Sequence, residues 1–127
     1  IYMTPGLVYG TVDTNLSVQE TEENTGEKVM EPTTAARLRA YMESTARFGT
    51  ARIGAPQNCV SGIKTGTAQT GVYDENGEEI ENYWYAGYIC NAQEEPLYTL
   101  VVLEETAGEM HVPQAFRKIG EALVDFN

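Results

Sequence analysis

Lys64, Thr65, Gly66 and Thr67 form a short run whose residue types suit the binding of a carboxylate. Lys64 carries a positive charge on a long stem, and the two threonine hydroxyls, spaced two residues apart, project from one face of an extended strand. Gly66 has no side chain, so the backbone of a ligand can approach the strand closely. Alternation places Lys64 on the opposite face, and its stem has to wrap past the strand edge to reach the same ligand.

The same four residues, taken alone, also fit an ordinary edge strand. Threonine favours β structure, and a lysine discourages pairing with another chain. The elements around the run therefore have to distinguish the two interpretations.

A helix, three strands and a final helix are predicted in that order. Pro32 suits the first turn of a helix that ends at Gly49, and a loop covers 54–58. Strands are predicted over 60–69, 83–90 and 97–104. The last strand contains Leu100, Val101, Val102 and Leu103 without polar alternation, which predicts that both of its faces are covered.

The final helix is predicted to pack on the sheet through one apolar face. The residues assigned to that face are Val112, Ala115, Phe116, Ile119, Ala122, Leu123 and Phe126, and the opposite face is polar: Gln114, Arg117, Lys118, Glu121 and Asp125. In the first quarter of the chain, strands are predicted at 7–12 and 28–30 around a charged loop. The expected fold class is α+β, an antiparallel sheet covered by helices.

Three segments resemble the penicillin-binding transpeptidases. The run Lys64 to Gln69 reads KTGTAQ, like the K-T-G motif of that family, and Tyr83 to Tyr88 is similar to its W-F-x-G-Y strand. The turn Gly49-Thr50-Ala51 and the residue Ala68 are similar to the class B, monofunctional enzymes. The resemblance covers roughly residues 30 to 124. One departure is Ile63, where the family usually has glycine; here the glycine is Gly62.

The resemblance implies a serine acyl-transferase, but the other two motifs of the site are missing from this chain. No S-x-N or S-D-N occurs in the 127 residues. One S-x-x-K match, Ser61 to Lys64, shares the KTG lysine and continues into a strand, whereas a nucleophile motif must open a helix. Residues 1–127 are therefore expected to be the C-terminal segment of a transpeptidase domain, inactive alone.

In the intact parent, the resemblance implies that Lys64 and Thr67 are catalytic and that Lys64, Thr65, Gly66 and Thr67 bind substrate. The backbone N–H of Thr67 would form half of the oxyanion hole. The implied reaction cross-links peptidoglycan stem peptides ending in D-Ala-D-Ala, with β-lactams as further ligands and the remainder of the domain as partner. The implied location is the extracytoplasmic face of the bacterial membrane, through an anchor outside this chain.

Two alternatives stay open at this point. A serine β-lactamase or D,D-carboxypeptidase has the same fold and lets water attack the acyl-enzyme, and a K-T-G run does not separate these activities. A non-catalytic module of the same fold could bind an extended peptide along its strand edge.

Composition excludes several other classes of function. The net charge is −11, with 19 acidic and 8 basic residues, so nucleic acid would be repelled. No apolar run approaches the roughly 20 residues of a membrane-spanning helix. Two cysteines and a single histidine, His111, do not make a zinc site, and neither a cofactor nor a metal is expected. Asp74 to Gly77 departs from the calcium-loop spacing and indicates a hairpin tip.

The two cysteines are predicted to be free, packed thiols. If Asn76-Gly77 is a two-residue turn and the strands pair without a bulge, Ile63 faces Cys90 and Cys59 faces Glu94. That register keeps the two sulfurs apart, although a bulge would change it. His111, just before the final helix, is expected to be exposed.

Overall fold

The protein is described by a computed structural model that covers residues 10–21, 26–106, 108–109 and 111–125. Eight elements follow each other along the chain: strands β1 (Gly10–Val12) and β2 (Val18–Glu20), helix α1 (Pro32–Phe48), a 3₁₀ turn (Arg52–Gly54), strands β3 (Ser61–Tyr73), β4 (Glu79–Cys90) and β5 (Pro96–Thr106), and helix α2 (Val112–Asp125). Two compact units are present, residues 1–35 and 36–127.

The first unit contains a small antiparallel hairpin in which β1 pairs with β2. Asp13 closes its turn, because its Oδ1 accepts hydrogen bonds from the backbone N–H groups of Asn15 at 2.8 Å and Ser17 at 3.0 Å. The predicted strand at 28–30 is wrong, since these residues are not in a strand and Lys28 instead pairs with Glu31 at 3.0 Å. The part of the first predicted strand at 7–9 lies outside the described residues.

The second unit is built on an antiparallel sheet with the order β3-β4-β5. The expected α+β class is confirmed, and the helix and strand assignments agree with the sequence to within a few residues. The core of this unit is formed by apolar residues from the sheet, from both helices and from the segment that follows α1. The fully buried side chains include Ile63, Ile89, Val112 and Phe116.

Helix α1 is attached to β4 through Tyr88. The Tyr88 hydroxyl donates a hydrogen bond to Glu43 Oε1 at 2.9 Å, and the Arg39 guanidinium lies 5.4 Å from the centre of the Tyr88 ring. Burial, together with the Glu43 carboxylate, raises the pKa of Tyr88 to about 12. The hydroxyl therefore stays protonated and keeps donating at physiological pH.

The register between β3 and β4 differs from the predicted one. Ile63 faces Gly87, not Cys90, because the turn has three central residues, with Gly77 at a φ of 83°, and because β3 carries a bulge between Gln69 and Tyr73. At the far end of the pair, the Cys90 N–H donates to the Val60 carbonyl at 2.9 Å. The predicted placement of Cys59 opposite Glu94 is therefore also wrong.

Both cysteines are nevertheless free thiols, as predicted. Cys90 is buried and Cys59 is half-buried. Burial raises the pKa of each thiol, so both stay in the protonated form that suits packing rather than nucleophilic attack.

Only one face of β5 is covered by the described residues, which corrects the prediction that both faces are covered. Leu100 and Val102 point towards α2 and are half-buried, whereas Val101 and Leu103 on the other face are 55% and 50% exposed. Trp84 on β4 lies opposite Leu103 and is 37% exposed. These three side chains form an apolar strip, defined here as Trp84, Val101 and Leu103.

The buried face of α2 is rotated from the predicted one. Its buried residues are Val112, Pro113, Phe116 and Gly120, whereas Ile119 is 43% exposed and Ala122 is also exposed. Gly120 explains the rotation, because a Cβ at this position would lie 2.6 Å from Pro56 Cγ and 3.0 Å from Ile89 Cδ1. The helix thus approaches Pro56 and Ile89 closely at a glycine, and a pattern of apolar side chains does not include glycine. Phe126 lies outside the described residues.

Candidate functional site

The run Lys64 to Thr67 lies on β3, at one side of the sheet. Its residues face Ala86, Tyr85, Trp84 and Tyr83 of β4, in that order. In the part of the chain that the structure describes, β3 pairs with β4 only, so its other edge is open. The run ends before the bulge, and its extended geometry is therefore regular.

Thr65 and Thr67 lie on one face of β3, because they face Tyr85 and Tyr83 on the side of the sheet that packs against α2. Lys64 lies on the opposite face and is exposed. Its Nζ donates a hydrogen bond to the backbone carbonyl of Thr65. The stem thus bends along the strand, and the ammonium group lies at the backbone of Thr65 despite the alternation.

Gly66 has space around it within this chain. A Cβ built at Gly66 would lie 3.5 Å from Trp84 Cβ, an ordinary contact distance. At Gly62 the same construction meets the Tyr88 ring at 2.4 Å. Packing within this chain therefore requires glycine at position 62 and not at position 66. The Tyr88 ring lies over β3 at position 62, which accounts for the glycine there. The next residue, Ile63, is a core residue with 0% exposure.

Thr50 contributes a hydroxyl that the sequence did not assign to the site. Its Oγ1 lies 2.9 Å from Thr65 Oγ1, and its backbone carbonyl accepts a hydrogen bond from the Tyr85 hydroxyl at 3.3 Å. Burial raises the pKa of Tyr85, which keeps this donor protonated. The only sequence signal was the position of Thr50 in the Gly49-Thr50-Ala51 turn.

Ser61 and Lys64 do not form a nucleophile and base pair. Both residues lie on β3 rather than on a helix, three positions apart, so their side chains point to opposite faces. Ser61 is 6% exposed and lines a cavity of about 210 Å³ with Glu43, Arg47 and Cys59, near the start of the strand. This cavity is separate from the Thr65 and Thr67 hydroxyls. Ser61 lies on a strand, as predicted, and does not open a helix.

The remaining polar candidates have structural roles. Asp74 forms the hairpin tip, where its Oδ1 accepts hydrogen bonds from the N–H groups of Asn76 at 2.9 Å and Glu78 at 2.8 Å. His111 is exposed, as predicted, and its Nδ1 lies 2.9 Å from Glu104 Oε1. Among the described residues, no three His, Cys, Asp or Glu side chains converge as metal ligands would.

A KTGT strand with an open edge is followed by an aromatic strand, an apolar strand and a helix. This order of elements agrees with a family match. The model of the penicillin-binding protein transpeptidase domain matches residues 1–121. The chain belongs to this family. Family membership confirms the resemblance and, at the level of the family, a transpeptidase function; it implies binding of peptidoglycan and β-lactams only at that coarse level. Among curated proteins, none matches the chain at a significant level. In the described part of this transpeptidase-family chain, no helix is long and apolar enough to cross a membrane.

Proposed function

We propose that this chain is the C-terminal segment of a class B penicillin-binding D,D-transpeptidase and that its KTGT strand binds the substrate carboxylate. The parent enzyme cross-links peptidoglycan at the extracytoplasmic face of the bacterial membrane. Its serine attacks the D-Ala-D-Ala bond of one stem peptide, D-alanine leaves, and the amine of a neighbouring stem takes over the acyl group. The serine comes from a part of the domain outside this chain.

The observation that carries the proposal is the arrangement of the run on an open strand edge. Lys64 brings its ammonium group back to the Thr65 carbonyl, and the Thr65 and Thr67 side chains share one face of β3. A carboxylate at this edge would gain one positive charge and two hydroxyl donors, and charge-assisted hydrogen bonds are stronger than neutral ones.

The backbone of the same strand supplies the second part of the proposed role. Alternate residues of an antiparallel strand direct their N–H and C=O groups to the same edge. The backbone groups of Thr65 and Thr67 therefore point to the same edge of β3. We place the Thr67 N–H at the open edge, where it would donate to the oxyanion that forms when serine attacks. One such donor stabilises the transition state by about 2.7–4 kcal/mol.

Thr67→Val in the full-length protein tests the carboxylate contact. The variant keeps the backbone N–H and nearly the same shape, so mainly a hydrogen bond to a charged group is lost, at about 1.5–3 kcal/mol. Acylation by a penicillin should slow by roughly 10- to 150-fold. Lys64→Ala should slow it further, because it removes the charge.

Stopped-flow measurement of acylation decides the matter, with Thr99→Val as the matched control on the exposed face of β5. The control should acylate at the parent rate. If Thr67→Val and Lys64→Ala do so too while remaining folded, the KTGT run is only an edge strand and the proposal is wrong.

A further inference from the structure

Thr50 contacts two neighbouring strands of the sheet, β3 through Thr65 and β4 through Tyr85. It follows α1 in the chain, and the next residue, Ala51, is completely buried. The Thr50 hydroxyl lies 2.9 Å from the Thr65 hydroxyl, and the Thr50 carbonyl accepts from Tyr85 at 3.3 Å. Thr50 thus links Thr65, at the site, to a buried tyrosine.

The tyrosine that holds Thr50 is itself fixed by the core. Tyr85 is 2% exposed, and its ring centre lies 5.7 Å from that of Phe116 on α2. Gly54 passes so close that a Cβ there would lie 2.6 Å from Tyr85 Cε1 and 2.9 Å from Pro113 Cα. The backbone of Thr50 is therefore held by a tyrosine that the core fixes, whereas its side chain is exposed and meets the Thr65 hydroxyl.

A hydroxyl has one proton to donate and two lone pairs that accept. If Thr65 donates to Thr50, its proton is used inside the protein and is lost to a ligand. If Thr50 donates to Thr65, the Thr65 proton is free to point outward. A carboxylate has only acceptors, so its binding favours the second arrangement.

We infer that Thr50 is a positioning residue that donates its hydroxyl proton to Thr65 and so directs the Thr65 proton towards the substrate carboxylate. This inference rests on the proposed function and deepens it. It explains part of the preference of the enzyme for acyl donors with a carboxylate by Thr50, a residue that does not contact the acyl donor. Thr50 acts through Thr65 alone.

The test compares Thr50→Val with Thr50→Ser in the full-length protein, with Thr99→Val as the matched control. Thr50→Val removes the donor and keeps the shape, so acylation by benzylpenicillin should slow by about 2- to 10-fold. Thr50→Ser keeps a hydroxyl and should restore most of the rate. With benzylpenicillin methyl ester, which lacks the carboxylate charge, the effect of Thr50→Val should largely disappear.

A double-mutant cycle with Thr65→Val completes the test, because residues that act through one another are not additive. Thr50→Val should add little to Thr65→Val. The inference is overturned if Thr50→Val acylates at the parent rate, slows acid and ester equally, or adds its full effect to Thr65→Val. In each of those cases the proposed function still holds if the Lys64→Ala and Thr67→Val variants are acylated more slowly than the parent. If those two acylate normally, the proposed function itself fails.

Discussion

Gly62 and Gly66 are two glycines of one strand, and the structure gives them different reasons to be glycine. Gly62 lies under the Tyr88 ring, whereas the atoms nearest to a Cβ built at Gly66 belong to the Trp84 side chain, at ordinary distances of 3.5 to 3.9 Å. A methyl group at position 62 would have to displace an aromatic ring that is also bonded to Glu43. A methyl group at position 66 would meet only ordinary contact distances within this chain.

We therefore predict opposite effects for two equivalent substitutions. Gly62→Ala should lower the free energy of unfolding by about 1–3 kcal/mol, as overpacking does. Gly66→Ala should change it by no more than about 0.5 kcal/mol and yet slow acylation by about 100-fold, because it misplaces the substrate. Urea unfolding and acylation rates of the two full-length variants provide the measurement. A Gly66→Ala variant that acylates normally would contradict the proposed close approach of the ligand.

At the scale of elements, Glu104 joins the end of β5 to the start of α2. Its Oε2 accepts hydrogen bonds from the backbone N–H groups of His111 at 2.7 Å and Val112 at 2.8 Å. Burial pushes the pKa of Glu104 up, but these hydrogen bonds and the one with the His111 ring outweigh it and hold the pKa below its usual value of 4.5. The carboxylate thus caps a helix whose first turn contains no acidic residue.

Glu104→Ala should lower the free energy of unfolding by about 1 kcal/mol at pH 7, the usual effect of losing a helix cap. Because the folded-state pKa lies below the unfolded one, this contribution is present above about pH 4.5 and is lost as the pH falls through the lowered value. The difference between parent and variant should therefore shrink in acid. Urea unfolding at pH 7 and in acid measures this difference. Glu105→Ala is the control, because Glu105 is the exposed neighbour on the other face of β5. Equal stability of the Glu104→Ala and Glu105→Ala variants at pH 7 would refute the capping role.

At the scale of the whole molecule, this chain carries one wall of a proposed site and no activated nucleophile among its described residues. Acylation needs a serine with a base beside it. Ser61 is buried in β3 with Lys64 on the opposite face, and the apolar strip of Trp84, Val101 and Leu103 is exposed on the sheet. Both features are consistent with a segment that is completed by the rest of its domain.

The isolated 127-residue chain should accordingly form no covalent adduct with a penicillin. Incubation with a fluorescent penicillin followed by a denaturing gel checks this, and the full-length protein serves as the positive control. A labelled band mapped to Ser61 would show that the S-x-x-K match is functional after all.

From α1 onwards, the helices, the long strands and their order could be predicted from the amino-acid sequence, because the signals involved are local, whereas the second strand of the first unit was misplaced. Pro32 and Gly49 mark the limits of α1, and alternating and apolar runs mark the three long strands within a few residues. The KTGT run could be recognised as a candidate carboxylate-binding strand only together with the aromatic strand, the apolar strand and the helix that follow it, because the four residues alone also fit an ordinary edge strand. The roles of Lys64, Thr65, Gly66 and Thr67 themselves remain predictions.

Features that depend on groups distant in sequence became visible only in the folded chain. The bulge in β3 and the three-residue turn set the register with β4, and the close approach of Gly120 to Pro56 set the buried face of α2. Thr50 meets Thr65 across 15 positions of the chain, and Tyr85 meets Thr50 across 35. No local pattern encodes such contacts, since they exist only when the sheet and the segment after α1 pack against the same core.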